Sequence, residues 1–537
     1  MKTITFYSYK GGVGRSLALV NIATRLSEFG KKVCVIDFDL EAPGLHIKFP
    51  INRHILEQNY LGIVDFVYKF ANEGILDDSI EKYTLNVTSN KDNNLILIPA
   101  GNINSSDYWK KLSSLNWYDL IYENPNGVAF FFKLKELIEE QIKPDFLLID
   151  SRTGISESSG INLSLLADEV VILAANNKEN LNGASRIIKS LSNPDRLILE
   201  KSPKLTFVLS RVPFTNKIED RNKENILINR IKREYLQPYI HDIHLIHSDR
   251  ELEELEKVKM AYEKDDTFPQ ISLDYLSLFE SLTQNDLSNE EINKFKDIKN
   301  SERYLILSNN SDSPAKKLEY INVAISYNAS NIELFFHRAL INYESMNYDD
   351  SLNDLEKVLK EDDHHYNAIL FKAEILSQLE RLDEGLEIVN KYLRIFPTDD
   401  ALLIKKSTFL YKKNKLVEAE GVTTLVIEQN PELSVGYACR GNIRRVMKKF
   451  REALNDIFKA LELDSDNIQA VATLAEVYAE TDNYDEFFIH FENVLKRDKE
   501  YIKYALKTER IYRKFEHNQR FISMLNKYGL YYPENVE

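Results

Sequence analysis

Five bulky residues, Tyr348, Leu382, Leu416, Phe450 and Tyr484, follow one another at intervals of 34. Three positions after them stand Ser351, Gly385, Ala419, Ala453 and Phe487, and nine positions before them Ala339, Ala373, Ser407, Gly441 and Ala475. Pro397 and Pro431 keep the same interval. Such a period leaves few folds open. Small side chains at fixed places let two helices approach closely, and large ones fill the groove between successive pairs. Each unit then buries its apolar face only by stacking on the next.

The pattern resembles the tetratricopeptide repeat, which implies an all-α superhelix of helix pairs. It predicts five units beginning near Ile332, Tyr366, Asp400, Ser434 and Ile468, with Glu319–Ser326 as the second helix of a degenerate sixth. Tyr501–Tyr528 would cap the open end, and Phe487 breaks the small-residue rule as a terminal unit can. Phe336, Leu370 and Ile404 share one position of successive first helices. There they would line a groove for a partner's helix or peptide, or pack against the chain's own termini. Arg338, Lys372, Lys406 and Arg440 also recur, but Asp354 and Asp456 lie 16 residues beyond the two arginines. That spacing predicts ion pairs within a unit rather than a stripe for acidic peptide or nucleic acid.

The first 290 residues have another rhythm. Short apolar runs at Thr3–Tyr7, Lys32–Ile36, Asn94–Ile98, Phe146–Ile149, Glu169–Leu173 and Leu205–Leu209 alternate with helical stretches. This predicts an α/β domain with a parallel sheet covered on both faces. Ala18–Phe29 reads as a helix closed by Gly30. The stretch Gly101–Lys143 carries both tryptophans, Trp109 and Trp117, and is expected to form a subdomain with a small core of its own rather than an exposed aromatic surface. The expected organisation is an α/β domain over 1–290, a linker and degenerate repeat over 291–331, repeats over 332–501 and a cap over 502–537.

Directly after the first strand the chain reads Tyr9-Lys10-Gly11-Gly12-Val13-Gly14-Arg15-Ser16. A phosphate cradle needs inward backbone amides backed by a positive helix end. Glycines let the backbone come close, and a serine hydroxyl at the helix start is placed for Mg2+. Two further apolar strands end in carboxylates, at Asp37 and Asp39 and at Asp150, the end of a parallel sheet where ligands bind.

The loop resembles the deviant Walker A motif of MinD/ParA-type ATPases. The resemblance implies a P-loop fold binding ATP and Mg2+. It assigns the phosphates to Lys10, Gly11, Gly12, Val13, Gly14, Arg15, Ser16 and Leu17, with Lys10 reaching the phosphates of a partner in a nucleotide-dependent homodimer. Arg15 stands where relatives commonly carry lysine. By the same resemblance Asp39 orients or deprotonates the attacking water. Ser16, Asp37 and Asp150 serve the metal, and Gly154 senses the γ-phosphate. Arg152 would add a cation near that phosphate or pair with a carboxylate, and Arg211 would handle the base.

A formal net charge of -15 argues against broad nucleic-acid binding, although Arg230, Lys232 and Arg233 could act locally. Two distant cysteines, Cys34 and Cys439, and a strand at the N-terminus predict a cytoplasmic protein without a disulfide framework or signal peptide. No apolar run reaches membrane-spanning length. The expectation is an ATP-hydrolysing, nucleotide-switched regulator that recruits a protein partner through its repeats. Two alternatives stand beside it. One is a kinase-like phosphotransferase, for which Tyr528, Tyr531 and Tyr532 cluster near the C-terminus. The other is a scaffold that binds nucleotide without hydrolysing it. His241, His244 and His247, and the pair His364 and His365, read as surface or core residues rather than metal ligands.

Overall fold

The computed structural model describes all residues except 52, 58, 88–93, 198, 200, 214–217, 250–259, 266–267 and 532–537. It divides into two compact units, Met1–Lys299 and Asn300–Glu537.

In the first unit, strands β1 (Lys2–Ser8), β2 (Val33–Phe38), β3 (Leu85–Asn86), β4 (Leu95–Ile98), β5 (Phe146–Ser151), β6 (Glu169–Ala175), β7 (Lys204–Val212) and β8 (Ile243–His247) form one sheet in the order β3-β4-β2-β5-β1-β6-β7-β8. Every pairing is parallel except β3 with β4. Continuous apolar runs such as Val33–Phe38 and Phe146–Ser151 are buried along their whole length, as a sheet covered on both faces requires. Helix α1 (Arg15–Glu28) follows β1 and lays Ala18, Leu19, Ile22, Ala23 and Leu26 on one face of the sheet. It ends at Glu28, and Gly30, whose φ is 75°, turns the chain just beyond it.

All six expected strands form, and β3 and β8 add to them. The excursion after Gly101 differs from expectation. Its helices Ser106–Ser114 and Gly127–Leu137 place Tyr108, Phe130, Phe131 and Leu134 in one cluster with Cys34, Ile36, Phe38, Leu147 and Ile149 of the sheet. It is therefore a covering layer of the main core, because its apolar residues recur at helical spacing and match the open sheet face. Trp117 packs near Phe38 at 6.2 Å between ring centroids. Trp109 stays 48% exposed, its indole N–H donating to the Ile103 carbonyl.

In the second unit five helix pairs begin at the expected residues. The first helices are Ile332–Glu344, Tyr366–Gln378, Asp400–Lys412, Ser434–Val446 and Ile468–Glu480. The second helices are Tyr348–Glu361, Leu382–Leu393, Leu416–Gln429, Phe450–Leu463 and Tyr484–Arg497. Pro314–Tyr327 precedes them, and Asn289–Asn309 forms one helix across the expected 290/291 boundary. Ala339, Ala373, Ser407 and Ala475 are fully or nearly fully buried where helices meet, and the Ser351 hydroxyl donates to the Ala339 carbonyl at 2.7 Å. At Gly385 an added Cβ would lie 2.1 Å from the Phe409 ring. Met346, Glu380, Asn414, Lys448 and Asp482 each take a left-handed backbone, with φ between 56° and 62°, at the turn between the two helices of a unit.

Arg338 pairs with Asp354 through two bonds of 2.8 and 2.6 Å, and Arg440 pairs with Asp456 at 3.0 and 2.8 Å. The anticipated ion pairs thus tie helices together. Beyond the last unit, Lys499–Thr508, Arg510–Phe515 and Gln519–Lys527 close the array. Phe487 is fully buried there, stacked on Phe515 at 4.3 Å and on Phe491 at 5.3 Å.

Candidate functional site

β1 ends at Ser8, and the chain turns through residues 9–14 into α1. Gly12 and Gly14 sit at φ of 75° and 80°, a region that residues with a Cβ avoid. A Cβ at Gly11, Gly12 or Gly14 would meet nothing within 4 Å, so the loop borders open space. The first amides of α1 have no intrahelical acceptor and add the positive end of its dipole.

That space is a cavity of about 580 Å³. Gly11, Gly12, Val13, Gly14, Arg15, Ser16, Leu17, Asp39 and Arg211 all line it, whereas Lys10, Asp37, Asp150 and Gly154 stand outside its lining. Strand register sets Asp37 directly opposite Asp150. Asp37 is fully buried and accepts backbone N–H bonds from Asp39, Gly44 and Leu45 at 3.3, 3.2 and 3.1 Å. Burial first, and then the charge of Asp150, push its carboxyl up to about 8.

Arg15 is only 6% exposed. Its Nε donates to Asp150 Oδ1 at 2.5 Å and its Nη2 to Asp39 Oδ2 at 2.7 Å. Burial pulls the guanidinium's pKa down, but Asp150 and Asp39 more than offset that, so it stays charged. Burial raises the Asp39 carboxyl, with Arg15 opposing.

The remaining expected residues are placed as follows. Lys10 is half-exposed and pairs with Glu179 at 2.9 Å, at the start of the helix Lys178–Leu191. The Gly154 amide donates to the Ser8 carbonyl at 3.3 Å, and its own carbonyl accepts the Tyr7 hydroxyl at 3.0 Å. Arg152 pairs with Glu41 at 2.6 Å, the carboxylate option of the two expected for it. Arg211 is exposed with φ of 56°, where the β7–β8 register slips between Ser210 and Val212.

Sequence reasoning missed the wall built by β8 and the helix Gln270–Thr283, which brings His247, Ile271 and Tyr275 to the cavity. His247 is buried, with Nδ1 2.8 Å from Asp274 and Nε2 3.1 Å from Glu224. The signal was the short run Ile243–His247, in which His244 and His247 interrupt the apolar residues and hide a strand.

The residues fit a Mg2+-bound triphosphate. The glycine loop leaves a cradle that no side chain fills. Ser8 Oγ, Ser210 Oγ and Arg15 Nη1 are buried without a hydrogen-bond partner beside the cavity. Ser16 on the cavity wall and Asp150, bound to Arg15 beside it, carry hard oxygens of the kind Mg2+ prefers.

The second unit has a separate cavity of about 920 Å³ lined by Tyr411, Cys439, Arg445, Glu480, Tyr501 and Glu509 among others. At its floor the buried Arg445 meets Glu476, Glu480 and Glu509 at 3.2, 2.6 and 2.8 Å. Phe336, Leu370 and Ile404 are half-buried, and the Phe336 ring lies 5.1 Å from that of His365. Ligand atoms of Asp362, Asp363 and His364 lie within 4.8 Å of one another in a largely exposed group. Tyr531 is 79% exposed, and Tyr532 lies outside the described residues. Among the described residues no helix is long and apolar enough to cross a membrane.

Residues 1–206 match the family described as an AAA domain, and residues 343–406 match the tetratricopeptide repeat. The septum site-determining protein MinD of Buchnera aphidicola (from Acyrthosiphon pisum) is 27% identical over 195 residues, 36% of this chain and 60% of that protein. The chain thus spans about three fifths of the curated relative's length. Among solved structures, a MinD cell division protein from Aquifex aeolicus aligns at 19% identity and a TM-score of 0.37, covering 54% of this chain and 99% of that one. A tetratricopeptide repeat protein from Thermus thermophilus aligns at 21% identity and a TM-score of 0.30, covering 32% of this chain and 97% of that one.

Proposed function

We propose that this chain, a MinD/ParA-like P-loop domain joined to tetratricopeptide repeats, binds ATP with Mg2+ and acts in the cytoplasm as a nucleotide-switched recruiter of a protein partner. One observation carries the reading. An open glycine cradle at the end of β1 and the carboxylate of Asp39 line a single cavity, and Arg15 on its wall binds Asp150 next to it.

In this reading the amides of Gly11–Gly14 and the start of α1 hold the phosphates. Ser16, Asp37 and Asp150 hold the metal, which when bound screens the charge on the transferred phosphoryl group. Asp39 orients the attacking water. Lys10 leaves Glu179 to reach the phosphates of a second copy, so triphosphate favours a homodimer and diphosphate releases it. Arg211 sits at the base end, and the Gly154 amide exchanges the Ser8 carbonyl for the γ-phosphate. The cavity of the second unit, with its mixed charges and tyrosines, suits a polypeptide segment.

The test is phosphate release by the full chain beside Asp39→Ala, with sedimentation in a slowly hydrolysed ATP analogue and in ADP. Release lost in Asp39→Ala, and more dimer with the analogue, are the expected results. Equal sedimentation with nucleotide bound would remove the switch. A second reading, nucleotide held without turnover, is favoured by the hold of Arg15 on Asp39. In that case the native chain binds nucleotide yet releases no more phosphate than Asp39→Ala.

A further inference from the structure

We propose that Arg15 is a two-position latch: in one position its guanidinium engages Asp39 and the Asp150 carboxylate that the metal needs, and a triphosphate draws it to the other. The inference rests on the reading that the Ser8–Leu17 loop receives a triphosphate.

The geometry is that of a built-in counter-ion. Nε and Nη2 of one guanidinium bridge carboxylates at the ends of two neighbouring strands, Asp150 on β5 and Asp39 just beyond β2. Arg15 and Asp150 are almost fully buried, so their attraction is little screened by water. Asp150 Oδ1, engaged at 2.5 Å by the charged Nε–H, has part of its negative charge neutralised and is a weaker ligand for a divalent cation. A cation placed there would also be repelled by the guanidinium. In this position Arg15 therefore disfavours binding of metal alone.

The third nitrogen, Nη1, is buried without a partner, and Arg15 lines the cavity that the glycine loop borders. Phosphate oxygens can offer this fork two acceptors at once, which is what it now has from the two aspartates. Arg15 is the first residue of α1, held by Gly14 against the cradle, so its backbone need not move for the fork to change partners. Nucleotide and metal then enter together, and the apparent affinity for triphosphate is reduced by the fraction of molecules still latched. A lysine at this position has one compact ammonium and cannot bridge both aspartates in the same way.

The test uses the full chain without nucleotide and reads Mn2+ binding by electron paramagnetic resonance. Arg15→Lys is expected to bind Mn2+ about tenfold or more tightly than the native chain. Adding Asp150→Asn to that variant is expected to abolish the gain. Equal Mn2+ binding by native and Arg15→Lys protein, or a gain that survives Asp150→Asn, overturns the proposal. Should Arg15→Lys fail to fold, Asp39→Asn loosens the latch from the other side. It is expected to tighten binding of a fluorescent ATP analogue severalfold, and unchanged or weaker binding counts against the latch. If folded native protein binds no nucleotide at all, the proposed function fails, while the metal-only comparison still decides the latch.

Discussion

A single hydrogen's worth of space decides what several residues in this chain can be. Gly183 lies in the helix Lys178–Leu191, and a Cβ there would fall 2.1 Å from the Tyr9 ring beside Lys10. Gly183→Ala is expected to cost about 1–3 kcal/mol in the first unit and to weaken nucleotide binding by displacing the loop, measurable by thermal melting and fluorescence titration. Charge matters as much at the floor of the repeat cavity. Burial pushes the Glu476 carboxyl up to about 7 despite Arg445, with Glu509 and Glu480 adding to the rise and the Tyr512 hydroxyl opposing it. A pKa raised on folding means a contribution that is full below 4.5 and lost as the pH rises through about 7. Stability of the second unit should therefore decline across that window, and Glu476→Gln should flatten the decline in melts taken at several pH values. The glycine loop was legible in the sequence because left-handed backbone at Gly12 and Gly14 favours glycine and three glycines stand together directly after a strand. The partners of Arg15 were not, since Asp39 and Asp150 come together only through the β2–β5 pairing, and Gly183 gave no sign because its neighbour Tyr9 is so distant in the chain.

Elements built on period were read almost to the residue. All five repeat units start where the 34-residue spacing put them, because each helix boundary is enforced by packing against a neighbour of the same design. The turns are less uniform in sequence than in shape. Met346, Glu380, Asn414, Lys448 and Asp482 adopt one left-handed conformation with five different side chains, none of them glycine. That conformation costs a residue with a Cβ about 1–2 kcal/mol, against about 0.4–1 kcal/mol of unfolded-chain entropy added by glycine. Met346 is 77% exposed and has little packing to lose. Met346→Gly is expected to stabilise the repeats by about 0.5–1 kcal/mol, read as a higher urea midpoint with unchanged slope. The missed elements had no period to betray them. β3 has two residues at a sheet edge, and β8 interleaves histidines with its apolar residues.

At the scale of the whole molecule, the two compact units keep separate apolar clusters, those of the sheet within 1–299 and those of the helix pairs within 300–537. Two unfolding transitions are expected in calorimetry. Mg2+ and ATP at about a hundredfold above the dissociation constant should stabilise the first unit by about 2.7 kcal/mol and leave the other transition in place. A shift of both transitions together would mean that the units unfold as one. The fusion was visible in the sequence as a change of rhythm, from short apolar strands to a strict period, and the excursion between Gly101 and Lys143 was misjudged because only the tertiary fold shows which core a helix serves. The buried aromatic stack around Phe487 has a consequence for how such a chain can lengthen. A duplicated unit inserted upstream meets a familiar neighbour on each side, but one appended after Phe487 would have to dock on a surface already sealed by rings. Growth of such an array by gene duplication is thereby easier ahead of Phe487 than directly after it.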